Sequence, residues 1–128
     1  MASRTSNFCF DAHDPAAQAR WWAAVLDDFR LPPEEELATW DDEECWLVGP
    51  EGWALMFLKV PEPKTVKNRM HVCVSPTDRT REEEVERLLG LGATIVDDHR
   101  NGPDRGWAVL ADPEGNEFCV LRQARPGE

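Results

Sequence analysis

The sequence predicts an α+β fold built from two βαβββ modules in tandem, on the strength of three observations. Asn7-Phe8-Cys9-Phe10 followed by Asp14 reappears as His71-Val72-Cys73-Val74 followed by Asp78, an offset of 64 residues. Pro50-Glu51-Gly52 ahead of the run 53–58 reappears as Pro113-Glu114-Gly115 ahead of 116–121, an offset of 63 residues. Each half also carries one amphipathic helix after its first strand, and at the offset of 63 Trp22, Val25 and Leu26 overlay Val85, Leu88 and Leu89. Near-equal offsets in the same order are the mark of an internal duplication. The modules are expected over about residues 5–60 and 70–123, with a linker over 61–69, inside a single domain spanning 1–128.

The elements follow in chain order. Residues 7–10 alternate as a strand. Asp14 suits a helix N-cap and Pro15 the first helical position. Trp22, Val25, Leu26 and Phe29 then form one apolar stripe, and Leu31-Pro32-Pro33 is expected to end the helix, because proline cannot continue it. Three strands are expected next, over 37–40, 45–49 and 53–60. Gly49-Pro50-Glu51-Gly52 reads as a tight hairpin turn, and Asp41-Asp42-Glu43-Glu44 as a solvated loop. In the second half Thr80 and Glu83 form a capping box, Val85, Leu88 and Leu89 supply the stripe, and Gly90 or Gly92 the stop. Strands are expected over 94–98, 106–111 and 117–122, the last two joined by Asp112-Pro113-Glu114-Gly115.

Composition narrows the function. Apolar residues make up 41% of the chain, with six Trp and five Phe, which suits a packed core. The net charge of −11 argues against nucleic-acid binding and against anionic membrane surfaces, and solubility is the plainest reading of it. Cys9, Cys45, Cys73 and Cys119 form no CxxC pair and no Cys/His cluster of zinc spacing. Residues 1–6 are polar and no stretch approaches ~20 apolar residues, so neither a leader nor a membrane span is expected. A cytoplasmic protein with reduced thiols is the economical expectation.

The first strand, the Asp-capped Trp-rich helix, the segment Lys64 through His71 and the closing run Asp112 through Leu121 together resemble one family. They are similar to the glyoxalase-like domains of the vicinal oxygen chelate superfamily, which also holds bleomycin-resistance proteins and extradiol dioxygenases. The resemblance covers nearly the whole chain. It implies that the paired modules form a half-open barrel with helices outside, often as a homodimer, and that in the enzymes a divalent metal sits on the concave face. The ligand positions of metal-using relatives match Asn7, Met56, His71 and Cys119 here. Of these, His71 alone is a strong ligand for a hard or borderline ion, Met56 being a soft thioether. His71 and Cys119 make two zinc ligands, with Glu117 a conceivable third, where a catalytic zinc wants three. No metal and no cofactor are therefore expected, and lactoylglutathione-lyase or dioxygenase chemistry is not.

Strand alternation sorts the remaining candidates. Phe8, Phe10, Val72, Val74, Phe118 and Val120 should pack under the helices. The opposite parity holds Asn7, Cys9 and Asp11; Ala54, Met56 and Leu58; His71, Cys73 and Ser75; Glu117, Cys119 and Leu121. The candidate ligand-binding residues are Asn7, Cys9, Met56, Leu58, Cys73 and Cys119, with Trp53 and Trp107 as aromatic rims. His71 reads first as a pocket-wall side chain and second as a general acid or base. Glu117 needs a partner, from His71, Arg105, Lys64 or a cationic ligand, unless it sits in water. Cys119 beside His71 reads as an inert thiol before it reads as a nucleophile. Lys64, Lys67, Asn68 and Arg69 read as a solvated linker before an anion contact.

Three functions fit this pattern. The first is a protein that binds a small organic molecule in a concave, metal-free pocket. The alternative is a lyase or isomerase that uses His71 and Glu117 for proton transfer. The third is a scaffold serving assembly alone.

Overall fold

The computed structural model describes residues 2–128. By contact the chain divides into two units, the first ending at Pro63 and the second beginning at Lys64.

The first unit holds β1 (Phe8–Ala12), α1 (Pro15–Val25), α2 (Glu34–Leu37), β2 (Glu44–Val48) and β3 (Ala54–Lys59). The Asp14 carboxylate accepts the Ala17 N–H at 3.1 Å and Pro15 opens the helix, as the residue types required. The sheet order is β1-β3-β2, with β1 parallel and β2 antiparallel to β3. Trp22, Ala19 and Val25 of α1 are buried together with Cys45, Leu47, Leu55 and Phe57 of the sheet. Phe10 bridges the layers, its ring edge-on to Trp22 at 5.7 Å and to Phe57 at 5.5 Å.

Two expectations fail in this unit. Helix α1 ends at Val25, and Leu26 is already extended at ψ 138, so Phe29 lies outside the helix. Residues 37–40 form no strand: α2 and a turn occupy that stretch. The missing outer strand is reduced to one bridge, where Arg30 exchanges both backbone hydrogen bonds with Val48 at 2.9 and 2.8 Å. Pro32 and Pro33 follow, and having no N–H they cannot extend the ladder.

The second unit holds β4 (Cys73–Val74), α3 (Arg81–Gly90), β5 (Thr94–Asp98), β6 (Ala108–Ala111) and β7 (Glu117–Val120). The Thr80–Glu83 capping box is formed in both directions. The order β4-β7-β6-β5 repeats that of the first unit, with β5 in the place of the Arg30 bridge. Val85 and Leu88 of α3 are buried, as are Val74, Ala108, Leu110, Phe118 and Val120 on one sheet face. Strand β5 is exposed throughout and shifts register between Ile95 and Asp97. Arg81 is 2% exposed, and its guanidinium donates to the carbonyls of Gly102, Arg105 and Gly106 at 2.8, 2.8 and 3.2 Å. It thereby ties the β5–β6 connection to the start of α3.

Candidate functional site

Strand β7 centres the polar face of the second unit. Cys119 pairs in register with Cys73 on β4 and Val109 on β6, so these side chains share the face turned away from Phe118 and Val120. His71 lies two residues before Cys73 and falls on the same side. The donor atoms of His71, Cys73 and Cys119 all lie within 4.8 Å of one another, and Cys119 Sγ is 3.6 Å from His71 Nδ1. Cys119 is buried, while His71 and Cys73 are exposed. Burial, then the neighbouring Cys73, pushes the Cys119 thiol up, against a weaker pull down from Lys67. At neutral pH Cys119 is therefore a thiol, which suits an inert group better than a nucleophile.

Glu117 lies on the same face and is buried. One carboxylate oxygen accepts from Lys64 Nζ at 3.0 Å and the other from the Asn68 backbone N–H at 3.0 Å. The Asn68 side-chain carbonyl in turn accepts the Glu117 N–H at 3.2 Å. Desolvation raises the Glu117 pKa, but the Asn68 amide and the Lys64 ammonium outweigh it and hold the carboxyl below its usual range. Of the partners considered for Glu117, the structure supplies Lys64. The segment expected as a solvated linker is thus divided: Lys64 and Asn68 clamp β7, while Lys67 and Arg69 are exposed.

In the first unit the face away from α1 is built by rows across the sheet. Cys9, Met56 and Trp46 form one row, Asp11, Leu58 and Glu44 the next, with Ala54 opposite Val48. Trp46, Val48, Ala54, Met56 and Leu58 are half-buried. Trp40 meets Trp46 edge-on at 6.3 Å. Its Nε1 is buried without a hydrogen-bond partner, the one such side-chain atom among the described residues. Asn7 precedes the strand and donates its side-chain N–H to Cys9 Sγ at 3.3 Å.

The structure therefore gathers Cys9, Met56 and Leu58 in one unit and His71, Cys73, Cys119 and Glu117 in the other. Trp53 is not on the first of these faces: it stacks on Phe8 at 5.8 Å and 12°, beside the helix-side parity of Leu55. Trp107 flanks the β5–β6 connection, tilted against His99 at 4.9 Å. Of the Trp residues near hairpins, it is Trp46 rather than Trp53 or Trp107 that the register with β3 puts beside Met56. Cys73, expected among the ligand-binding residues, stands as a third donor beside His71 and Cys119. Its signal was the spacing His71-x-Cys73, two residues on one strand face.

The four positions at which the family's metal enzymes hold a divalent ion carry an amide, a thioether, an imidazole and a thiol here, at Asn7, Met56, His71 and Cys119. Residue types of that kind do not suit a hard oxygen-seeking ion, and the Glu117 carboxylate of the second unit is engaged by Lys64 and Asn68.

A family model described as a glyoxalase-like domain matches residues 7–121. No curated protein matches significantly. Among solved structures, the fosfomycin resistance protein of Mesorhizobium loti is 15% identical, with 98% of this chain and 95% of that one covered at a TM-score of 0.66. A glyoxalase/bleomycin resistance protein/dioxygenase family enzyme of Burkholderia phytofirmans is 19% identical, covering 90% and 94% at 0.62. A possible glyoxalase of Bacillus cereus is 17% identical, covering 94% and 99% at 0.63. At these identities the likeness is one of fold.

Proposed function

The chain belongs to the glyoxalase-like domain family of the vicinal oxygen chelate superfamily, and on that premise we propose that it binds a small, partly aromatic organic molecule without help from a hard divalent ion. The observation that carries this reading is the half-buried face of Trp46, Ala54, Met56 and Leu58 in the first unit. An apolar sheet face of this kind gains from being covered, by about 25 cal/mol for each Å² removed from water. Trp40, edge-on to Trp46 at 6.3 Å, adds a second indole beside that face. The donor chemistry at Asn7 and Met56 supports independence from a hard ion.

Titration of Trp fluorescence with neutral two-ring aromatics tests the reading. Saturable quenching that survives chelator is expected, and Met56→Asp should weaken it by at least ~10-fold, since a charge placed on that face must be desolvated. Absence of saturable quenching, or an unchanged affinity in Met56→Asp, sinks it.

The alternative, a lyase or isomerase acting through His71 and Glu117, has less support. A general base works best with a pKa near the operating pH, whereas Glu117 is held low with both oxygens occupied. A reducing, cytoplasmic setting is part of the same proposal, supported by four free thiols. So is a homodimer, for which the exposed edge strand β5, with Ile95 and Val96, offers a surface. Among the described residues no helix is long and apolar enough to cross a membrane.

A further inference from the structure

We infer that His71, Cys73 and Cys119 form a three-ligand site for a thiophilic ion, zinc(II), held by the second unit alone. Their donor atoms lie within 4.8 Å of one another. Zinc bonds of about 2.3 Å to sulfur and 2.0–2.1 Å to nitrogen, at a tetrahedral angle, place ligand atoms about 3.6–3.8 Å apart. Cys119 Sγ and His71 Nδ1 already stand at 3.6 Å. The remaining separations need to close by about 1 Å at most, within reach of side-chain rotation on a fixed strand pair.

The backbone holds the donors in place. Cys73 and Cys119 are register partners on adjacent parallel strands, locked by the Cys119 N–H to Val72 carbonyl bond at 2.9 Å and the Leu121 N–H to Val74 carbonyl bond at 2.8 Å. Two thiolates balance the charge of a zinc ion, so the loaded site carries no net charge. Thiolate and imidazole donors select zinc over magnesium, calcium or manganese. His71 and Cys73 are exposed and Cys119 is buried, so the ion would be seated on the strand with one position open to solvent. Three protein ligands with an open fourth position is the arrangement of catalytic rather than structural zinc. The site differs from the family's four-position arrangement, since it uses Cys73 and needs neither Asn7 nor Met56. It is independent of the organic-ligand reading, which rests on the first unit.

The test uses the reduced, metal-stripped full chain and cobalt(II) as a spectroscopic stand-in. A thiolate-to-cobalt charge-transfer band with intense tetrahedral d–d bands should saturate at one ion per chain and be displaced by zinc. Cys73→Ser and His71→Ala should each weaken zinc by ~100-fold or more in chelator competition, since even outer partners of metal ligands are worth 10–100-fold. Met56→Leu and Asn7→Ala should bind as the parent does, with circular dichroism confirming the fold of every variant. In the unmutated chain, zinc should slow alkylation of Cys73 by iodoacetamide. No charge-transfer band, an unchanged affinity in Cys73→Ser, a matching loss in Met56→Leu, or no protection of Cys73 would each overturn the assignment.

Discussion

The two units share a strand order and differ in what they place on the sheet face away from the helix. In the first, that face is mainly apolar: Trp46, Val48, Ala54, Met56 and Leu58, with Cys9 at its edge. In the second it carries donors: His71, Cys73, Cys119 and a clamped Glu117. The helix-side faces have not diverged in kind. Leu47, Leu55 and Phe57 in one unit correspond in role to Leu110, Phe118 and Val120 in the other. Alternation along a strand lets one parity drift while the other stays under packing constraint. A duplicated scaffold can in this way divide its chemistry, one copy offering apolar area and the other side chains that bind ions or protons.

The core that both copies retain is where the largest effect is expected. Trp22→Ala removes a side chain that is 1% exposed and sits against Phe10. It should cost about 3–5 kcal/mol in urea unfolding. A cost under ~1 kcal/mol would mean that the helix-side face of the first unit is not a packed layer.

The next test compares one repeat position in both copies. Gln18 and Arg81, related by the offset of 63, are each buried polar residues on the inner side of a helix. Arg81 braces the connection between β5 and β6, whereas the first unit has a single Arg30 bridge in place of that outer strand. Arg81→Met should cost about 2–3 kcal/mol, because three carbonyls lose a charged donor. Gln18→Met should cost about 1 kcal/mol. Amide exchange over residues 99–107 should accelerate in Arg81→Met, and equal costs at the two positions would erase the distinction.

Much of this frame was legible in the sequence. Asp14, Pro15, the Thr80–Glu83 box and the two Pro-Glu-Gly turns act through local chemistry, which neighbours in the chain reveal. Strand parity was legible too, because Phe10, Phe57, Phe118 and Val120 alternate with polar or soft residues, but Phe8, expected under the helix with them, is 47% exposed at the start of β1 and stacks on Trp53 instead. The outer strand of the first unit was not. Its single bridge at Arg30 depends on pairing with Val48, and the proline pair that truncates it reads equally well as a helix stop. Nothing in the residues around Arg81 marks its role, since only tertiary structure brings Gly102, Arg105 and Gly106 to it. Cys73 was legible as a face residue but not as a partner of Cys119, because the register between β4 and β7 spans 46 residues of chain.

A smaller effect bears on the polar face. Glu117→Gln should cost about 1 kcal/mol at neutral pH, a charged hydrogen-bonded pair discounted for solvent at the Lys64 end. The folded pKa of Glu117 lies below its unfolded value. Its contribution is therefore present above the unfolded carboxylate range and is lost as pH falls through the folded pKa. The gap between Glu117→Gln and the parent should shrink in acid unfolding measurements. Lys64→Met should raise the Glu117 pKa read by carboxyl carbon NMR, and an unmoved value would mean that the Asn68 amide alone holds the carboxylate.

The smallest difference concerns the helix starts. The Asp14 carboxylate caps α1 by accepting the Ala17 N–H at 3.1 Å. Thr80 caps α3 with its hydroxyl on Glu83 N–H at 3.2 Å, while Glu83 returns a carboxylate to Thr80 N–H at 3.0 Å. Asp14→Ala and Thr80→Ala should each cost about 0.5–1 kcal/mol, the range for caps near solvent. The box carries an acid response of its own, through Glu83. The Thr80 amide and hydroxyl hold the Glu83 carboxyl low, so the return bond of the box weakens as pH falls through that carboxyl's folded value. Loss of the Thr80 hydroxyl leaves the backbone amide in place, so Thr80→Ala should keep most of that acid sensitivity and Glu83→Gln should abolish it. If Glu83→Gln titrates as the parent does, the box is present in geometry but contributes nothing that sets one helix start apart from the other.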